Sequence, residues 1–419
     1  MDPNIAHQTI EGWGAASCFV EESLVGLPGD KRDEVCDLIF KDLGATMLRV
    51  RVYADFQPTE GADYNWDCMA DQRLIIGEAL SRGVVDKVWA ATWSPPGWMK
   101  ANGDSRNGGR LKPGHYRGFA AYLADYVKGM RDRYNIEIEA ISAFNEPGAS
   151  DVYETAEMSG EEYFDFLKVM GERFKEREKL KTRIVGPDTM NINGSTLGCL
   201  GGGFLERVFS DSRVSEYLDT VITHQYGKRG PDRLPDLRDL LKANGKQWWQ
   251  TELCRLDGTT EDIDEGLETA LWIWRDVVRG DAAAWHYWQY YWPREEGASG
   301  LVILIPGEGY VVPPRYYCFK HWSKHVLPGA VRIEAKCTSP DLHIAAFQHD
   351  KNLTLIAINK TDADIPAVFE SGKIRGKVKH VRTSARETYA VQPELVTTKG
   401  GFAAIIQAKS INTFDARLP

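Results

Sequence analysis

Two glutamates follow segments that read as short buried strands. Residues 140–147 read AISAFNEP and residues 247–253 read QWWQTEL, so Glu146 and Glu252 each come after a run of mostly apolar residues. Pro147 has no N–H for a β-ladder and restricts the residue before it to extended geometry, which predicts that the strand ends at Glu146. Two carboxylates at strand ends are the groups that glycoside hydrolysis requires. A single glutamate before a proline is more often a turn residue, so this interpretation depends on whether the two strands share a sheet.

The rest of the chain supplies that sheet, because eight strand signals alternate with helical patterns. The strand signals lie at 8–16, 46–53, 88–93, 140–147, 183–188, 220–226, 247–253 and 282–289. Such alternation indicates parallel strands joined by helical crossovers. Eight units favour the α/β fold class and, within it, a closed (β/α)8 TIM barrel over an open sheet. No GxGxxG or GxxxxGK[ST] turn follows any strand, so the open nucleotide-binding sheets lack their usual marker.

The pattern changes near the carboxyl end of the chain. After residue 327 short strands alternate with turn signals and no helical pattern occurs. This pattern of short strands and turns is typical of a small antiparallel β-sandwich. We therefore predict two domains, a catalytic barrel over 8–327 and a side β-sandwich over 328–419, to which residues 1–7 can add a strand.

Composition and charge argue against several classes of protein. The 419 residues carry a formal net charge of −9, and the pI is near 5.6. A nucleic-acid-binding protein would show a basic patch, so we expect no nucleic-acid partner. No run of about 18 apolar residues occurs, so we expect no membrane span. The seven cysteines are scattered and never form a CxxC pair, which predicts neither a zinc site nor a dense disulfide framework.

Other residues that could carry chemistry have weaker support. His321 and His325 stand four apart on a predicted helix, as metal ligands can, but no third ligand is near and no HExxH occurs, so we expect no metal and no cofactor. Cys254 reads as a small buried residue rather than a nucleophile. Asp188, at the end of the fifth strand signal, is either a partner of the site or a turn residue.

In a barrel, catalytic side chains gather at the carboxyl ends of the strands. Besides the two glutamates, those ends carry Trp13, Arg49, Trp93, Asn145, His224, Tyr226, Trp285 and Trp288. Carboxyl groups about 5–5.5 Å apart would give retention, with one acting as nucleophile and the other as acid and then base. One of the pair then needs a raised pKa to hold a proton near neutral pH, and a wall of Trp side chains and a neighbouring carboxylate both act in that direction.

The motifs at these ends resemble those of glycoside hydrolase family 30, whose members are retaining barrel enzymes with a side β-sandwich. The matching segments, in the family's order, are IEGWGAA, LRVRVY, ATWSPPGWMKANG, AISAFNEP, THQYG, WWQTEL and WHYWQ, followed by RYYCFKHWSKHVLPGAVRIEA and LIAINK. The resemblance implies that Glu146 is the acid/base and Glu252 the nucleophile. It also implies that the substrate-binding residues are Asn145, Arg49, His224, Tyr226, Trp93, Trp98 and Trp288. The reading of the strand ends adds Trp13 to this set.

The resemblance also implies the substrate class. Members of the family act on β-1,4-xylan, β-1,6-glucan, β-1,6-galactan, glucosylceramide and short xylosides, and the loops and sandwich here most resemble the bacterial xylanase branch. Members specific for glucuronic-acid side chains carry an arginine soon after strand eight. Here that stretch offers Arg294, followed by Glu295 and Glu296. Phe144 departs from the family in another way, since it replaces the usual Gln two residues before the acid/base.

We therefore predict a monomeric, retaining endo-β-glycanase that hydrolyses a plant cell-wall polysaccharide, with β-1,4-xylan as the leading candidate substrate. An endo-β-1,6-galactanase or β-1,6-glucanase is the alternative, and the insertion at 290–309 leaves exo-β-xylosidase action open because it could close one end of a cleft. Outside the enzyme class, a non-catalytic carbohydrate-binding protein is the competing interpretation. We expect secretion, with a cytoplasmic location as the alternative because of the scattered cysteines.

Overall fold

The structure is a computed structural model that describes residues 1–194, 198–227 and 232–418. The chain begins with β1 (Asp2–Thr9), and the next eight strands close into a parallel barrel. In barrel order the strands are β2 (Gly12–Ala16), β3 (Met47–Val52), β4 (Lys87–Thr92), β5 (Ile138–Ser142), β6 (Arg183–Thr189), β7 (Thr220–Thr223), β8 (Trp248–Gln250) and β9 (Ala284–Tyr287). The closed barrel confirms the predicted α/β class and its (β/α)8 architecture.

Helices follow the barrel strands and cover the outside of the barrel. They are α1 (Glu21–Val25), α2 (Gly29–Asp37), α3 (Ala70–Ser81), α4 (Tyr116–Tyr134), α5 (Gly160–Gly171), α6 (Phe204–Phe209), α7 (Ser212–Tyr217), α8 (Leu234–Ala243), α9 (Ile263–Arg279) and α10 (Pro314–Ser323). Two of them continue as π-helical turns, α2 over Leu38–Asp42 and α5 over Glu172–Arg177. Between β9 and α10 the chain forms a three-stranded sheet of β10 (Tyr291–Pro293), β11 (Val302–Ile305) and β12 (Gly309–Val311).

Helix α4 illustrates how local sequence sets these elements. Phe119, Leu123, Tyr126 and Met130 are buried at three- and four-residue spacing, which puts them on one face of the helix. Asn135 then adopts a left-handed conformation (φ 54°), and its N–H donates to the carbonyl of Arg131, as at many helix ends.

The remaining strands form the antiparallel sandwich. They are β13 (Val331–Glu334), β14 (Leu342–His349), β15 (Asn352–Asn359), β16 (Ile365–Glu370), β17 (Arg375–Ser384), β18 (Glu387–Val396), β19 (Gly401–Ile406) and β20 (Ser410–Arg417). One sheet has the order β1-β13-β14-β15-β20-β17-β18, and β16 pairs with β19 in a second sheet. Phe369, Phe402 and Phe414 pack between them with ring centroids 5.1–5.5 Å apart. This second domain confirms the predicted side β-sandwich.

The first predicted strand, 8–16, is divided between the two domains. β1 ends at Thr9 and pairs antiparallel with β13, whereas β2 begins at Gly12 and pairs with β3 and β9 in the barrel. Residue 8, the predicted start of the barrel domain, therefore lies in the sandwich sheet. The other predicted boundary, 327/328, falls between α10 and β13.

The two histidines considered as metal ligands join the last barrel helix to the sandwich. The ring nitrogens of His321 lie 2.7 Å from Thr413 Oγ1 and 3.0 Å from Thr383 Oγ1. Those of His325 lie 2.7 Å from Asp415 Oδ2 and 2.6 Å from the Tyr389 hydroxyl. All four nitrogens therefore have protein partners at the domain interface.

Large side chains fill the interior of the barrel below its mouth. Trp89 of β4 donates from Nε1 to Nε2 of His286 on β9, and Trp249 of β8 packs against both rings. Burial lowers the pKa of His286 to about 3, so this imidazole is neutral and can accept that bond. Arg49 Cζ lies 5.1 Å from the Trp89 ring centroid, so this packed core supports the floor of the mouth.

Candidate active site

Glu146 and Glu252 meet at the mouth of the barrel. Glu146 follows β5 and Glu252 follows β8, and both side chains are almost completely buried. A carboxylate oxygen of each and a ring nitrogen of His224 all lie within 4.8 Å of one another. The loops that follow parallel strands leave the same end of the barrel, so two residues far apart in sequence come together here.

The backbone of Glu146 differs from the extended geometry predicted for a residue before proline. β5 ends earlier than predicted, at Ser142, and Glu146 has a left-handed conformation with φ 48°. Its N–H donates to the carbonyl of Asp188 at 2.8 Å, and Asp188 is itself left-handed with φ 58°. Non-glycine residues in this region are uncommon and cluster at functional sites, where the surrounding structure holds them. The extended-geometry prediction was therefore wrong, because the bond to Asp188 outweighs the local preference.

Arg49 connects three side chains of the site. One terminal nitrogen donates to Glu252 Oε2, and the other lies 2.5 Å from Asn145 Oδ1 and 3.0 Å from Asp188 Oδ2. Arg49 is completely buried, so these are charge-assisted bonds in a region of low polarity. Burial raises the pKa of Glu252, and the positive charges of His224 and Arg49 oppose that effect.

His224 bridges the two glutamates. Its Nδ1 lies 2.9 Å from Glu146 Oε1, and its Nε2 lies 3.3 Å from Asp188 Oδ1 and 3.6 Å from Glu252 Oε2. Although burial acts against protonation, the carboxylates of Glu252 and Asp188 raise the pKa of His224 to about 10. At neutral pH the ring is therefore an imidazolium that can donate from both nitrogens.

Asp188 is a partner of the site and not merely a turn residue. It is completely buried, and besides Arg49 and His224 it accepts a hydrogen bond from Thr251 Oγ1 at 2.6 Å. Although burial acts against ionisation, Arg49 and His224 hold the pKa of the Asp188 carboxyl below its usual range. Asp188 thus supplies a permanent negative charge between two cations.

Aromatic side chains form one wall beside Arg49. The rings of Trp93 and Trp288 have centroids 5.7 Å apart, and Phe19 packs on Trp93 at 5.2 Å. Arg49 Cζ lies 4.7 Å from the Trp93 centroid. Trp98 lies on the loop after β4, where its Nε1 donates to the carbonyl of Gln57 and its ring packs edge-to-face on His115. Its role as a sugar platform stays a prediction, as do those of Trp93 and Trp288.

Tyr226 and Cys254 lie next to each other near His224. The Tyr226 hydroxyl is 3.6 Å from Cys254 Sγ, and the Tyr226 ring packs edge-to-face on His224. Both residues line a cavity of about 540 Å³ that also contacts Leu253 and Arg255. Burial raises the pKa of Cys254 to about 12, so it remains a thiol and is not an activated nucleophile.

Trp13 was wrongly predicted as a substrate-binding residue. Its ring is fully buried against Trp322, with centroids 5.9 Å apart, and its Nε1 donates to the carbonyl of Val326 at 2.6 Å. Side chains alternate along a strand, so Trp13 points outward to α10 while Gly14 faces the interior. A Cβ at Gly14 would lie 2.6 Å from the His286 ring, so that face has no room for a side chain.

Arg294 makes a two-pronged ion pair. Its two terminal nitrogens lie 2.7 Å and 3.0 Å from the carboxylate oxygens of Glu261, on the loop before α9. The pair is solvent-exposed. The guanidinium of Arg294, which the sequence suggested as a partner for a uronic acid, is thus already neutralised by the Glu261 carboxylate. Phe144 packs away from the site, against Phe119 and Phe166.

Tyr153 is a site residue that the sequence did not reveal. Its hydroxyl donates to Glu146 Oε2 at 3.5 Å from the loop that follows β5. No strand-end pattern marks it, because it reaches the carboxylate from a loop. Thr251 was missed too, although it directly precedes Glu252 and follows a strand whose end was recognised.

Within the described part of the chain, no helix has the length and apolar character needed to cross a membrane.

Comparison with known proteins gives two family models that describe the same family. The model of O-glycosyl hydrolase family 30 matches residues 51–195, and that of the glycosyl hydrolase family 30 beta sandwich domain matches residues 329–414. Glucuronoxylanase XynC of Bacillus subtilis is 25% identical over 385 residues, which cover 89% of this chain and 81% of that protein. An endo-beta-1,6-galactanase of Hypocrea rufa is 22% identical over 389 residues, with 87% of this chain and 74% of that protein covered.

A solved structure gives the same picture. The glycoside hydrolase family 30 subfamily 8 xylanase Xyn30A of Clostridium acetobutylicum aligns with a TM-score of 0.83 and 25% identity. The alignment covers 100% of this chain and 98% of that one. The similarity therefore extends over the barrel and the sandwich together.

Proposed function

The chain is an O-glycosyl hydrolase that belongs to glycosyl hydrolase family 30, and we propose that it is a retaining endo-β-glycanase acting on β-1,4-xylan. In this proposal Glu252 is the nucleophile and Glu146 the acid/base. One observation carries it, namely the distance of at most 4.8 Å between carboxylate oxygens of the two residues. Retaining enzymes place their carboxyl groups about 5–5.5 Å apart, whereas inverting enzymes leave about 6.5–9.5 Å for a water molecule.

The contacts of Glu252 suit a nucleophile. Arg49 donates to Oε2, and within the described part of the chain no hydrogen bond reaches Oε1, so Oε1 is the oxygen that attacks the anomeric carbon. Burial raises the pKa of Glu252, and the two neighbouring cations, His224 and Arg49, counter that effect and so favour the carboxylate that attacks. Attack breaks the glycosidic C–O bond and leaves the glycone covalently linked to Glu252.

The contacts of Glu146 suit an acid that becomes a base. His224 Nδ1–H occupies Oε1, so the transferable proton resides on Oε2, next to the Tyr153 hydroxyl. In the first step Oε2 gives this proton to the departing sugar oxygen. In the second step Oε2 takes a proton from water, whose oxygen attacks the anomeric carbon and releases Glu252.

The substrate follows from the relatives together with the rim of the site. XynC is a glucuronoxylanase and Xyn30A a xylanase, and both favour a xylan backbone as the substrate here. The pairing of Arg294 with Glu261 leaves no free cation at that position for a uronic acid, so we propose that glucuronic-acid side chains are not required. A β-1,6-galactan is the second candidate, because the Hypocrea rufa relative matches over a similar share of this chain.

We further propose a secreted monomer. A xylan chain is too large to enter a cell intact, so an endo-acting enzyme would meet it outside. Both glutamates, His224 and Arg49 come from the same chain, so the site is assembled within one copy.

The test is product analysis on linear xylan, glucuronoxylan, β-1,6-glucan and β-1,6-galactan, with proton NMR of the first anomer released. Retaining endo-xylanase action gives a ladder of β-configured xylo-oligosaccharides from both xylans. An α-configured first product would overturn the retaining mechanism, and cleavage of a β-1,6 chain alone would overturn the substrate. Binding of oligosaccharides by calorimetry without turnover would favour the carbohydrate-binding alternative.

A further inference from the structure

Lys100 is a buried cation beside the site that the proposed mechanism does not use. It lies on the loop after β4, within the motif that also contains Trp98, and its side chain is fully buried. Its Nζ donates to the carbonyl of Thr155 at 2.6 Å and to Ser94 Oγ at 3.0 Å. Within the described ranges it forms no ion pair. Burial lowers the pKa of Lys100 to about 8, which reflects the cost of an ammonium that has only neutral partners.

The carbonyl that Lys100 binds belongs to the loop that carries Tyr153. Tyr153 and Val152 are exposed, with 38% and 77% of their surface accessible, so packing holds the tip of this loop only weakly. The hydroxyl of Tyr153 nevertheless donates to Glu146 Oε2. Backbone bonds hold Asp151 on one side of the tip, and the residues that follow Tyr153 hold the other side.

Glu154, which is partly buried, and Thr155, which is buried, are each bound to a cation. Glu154 Oε2 lies 3.3 Å from a terminal nitrogen of Arg51, whose guanidinium stacks on Phe19 and Tyr53. Thr155 is 1% exposed, and its carbonyl accepts the bond from Lys100. The two residues after Tyr153 are thus anchored one after the other, the first by its side chain and the second by its backbone.

We propose that Lys100 is a positioning residue for proton transfer. By holding the Thr155 carbonyl it fixes the loop so that the Tyr153 hydroxyl keeps Glu146 Oε2 directed toward the departing sugar oxygen. This inference rests on the proposed role of Glu146 and deepens it. A correctly aimed acid matters most when the leaving group is a poor one, because such a group departs only with a proton.

The experiment compares Lys100→Met with Lys112→Met, a lysine farther along the same loop whose Nζ is exposed and donates to the Trp98 carbonyl. Each protein is assayed on linear xylan, whose sugar leaving group is poor, and on 2,4-dinitrophenyl β-xylobioside, whose leaving group departs without a proton. For Lys100→Met we expect kcat/KM on xylan to fall about 10- to 100-fold, a part of the general-acid contribution. On the dinitrophenyl substrate we expect kcat/KM to stay within about twofold, since that step needs no acid.

Tyr153→Phe should give the same selective loss, and Lys112→Met should resemble the unmodified protein on both substrates. An equal loss on both substrates for Lys100→Met would indicate a merely structural lysine and overturn the proposal, as would no loss on either. If Lys100→Met does not fold, Ser94→Ala removes one of the two oxygens that bind Nζ. For that variant kcat/KM on xylan must then fall by a smaller factor, with kcat/KM on the dinitrophenyl substrate almost unchanged. An equal fold-loss of kcat/KM on both substrates would overturn the proposal.

A second readout separates this inference from the proposed function. Hydrogen exchange of the peptide covering 150–156 should be faster in Lys100→Met than in Lys112→Met, because the anchor of the loop is lost. If the unmodified protein cuts neither substrate, the proposed function fails while this measurement still tests the anchor. Unchanged exchange would show that Lys100 does not hold the loop.

Discussion

The guanidinium of Arg49 donates a hydrogen bond to the carboxylate of Glu252, and both side chains are buried at the mouth of the barrel. The same guanidinium reaches Asn145 and Asp188, so one cation sets the charge and the orientation of the site. A planar fork with several donors can do this, whereas the ammonium of a lysine cannot reach all three groups at once.

Replacing Arg49 by Lys should therefore reduce activity even though the charge is kept. We expect kcat/KM to fall about 10²- to 10³-fold, as when one preorganised donor is removed from an active site. Arg49→Met should in addition lower the free energy of unfolding by about 3–5 kcal/mol, because two buried carboxylates lose their counter-charge. Steady-state kinetics and urea unfolding measure the two effects. Arg294→Lys, at an exposed pair, is the control, and an equal effect there would contradict the special role of Arg49.

The two glutamates should respond differently to added azide. Glu252→Gln should lose at least about 10⁴-fold in rate on every substrate, because no covalent intermediate can form. Glu146→Ala should lose about 10²- to 10⁴-fold on xylan. With the dinitrophenyl substrate, azide should restore the turnover of Glu146→Ala. Azide attacks the glycosyl-enzyme without the help of a general base, so the product should be a β-glycosyl azide. Rescue of Glu252 variants to a β-product, or near-normal activity of either variant, would contradict the assigned roles.

Regular features of the sequence predict the barrel and much of its mouth. Strand and helix periods alternate eight times, and parallel strands of a closed barrel release their loops at one end, so Glu146, Glu252, Arg49 and His224 meet there. Trp13 was misassigned because it lies inside β2, before the strand ends at Ala16, and its side chain faces outward to α10. A one-residue change of position along a strand reverses which face a side chain occupies.

The parts that could not be predicted depend on loops. Tyr153 and Lys100 belong to different loops, and their connection to Glu146 arises only when those loops pack against each other. The left-handed conformation of Glu146 is similarly set by a carbonyl on a neighbouring strand. Strand periodicity carries no information about such contacts between loops.

His224 should make stability depend on pH in a defined window. Its pKa in the folded protein is about 10, above the value of about 6.5 in an unfolded chain. A raised pKa contributes stability that is fully present below about pH 6.5 and is lost as the pH rises through about 10. The difference in unfolding free energy between the unmodified protein and His224→Gln should therefore shrink from pH 6.5 to pH 10, as measured by urea unfolding. A difference that grows with pH would contradict the imidazolium assignment.

Arg294 provides the test of side-chain recognition. Because its guanidinium is paired with Glu261 at the surface, and exposed pairs contribute only about 0–1 kcal/mol, Arg294→Ala should leave stability almost unchanged. The ratio of kcat/KM on glucuronoxylan to that on linear xylan should also stay within about twofold, since a lost charge-assisted bond to a uronic acid would change it by about tenfold or more. Glu261→Gln is the matched variant, because it frees the guanidinium and should raise that ratio if a uronic acid can reach it. A tenfold fall of the ratio in Arg294→Ala would show that Arg294 leaves Glu261 to bind the substrate, and uronic-acid recognition would then return as part of the function.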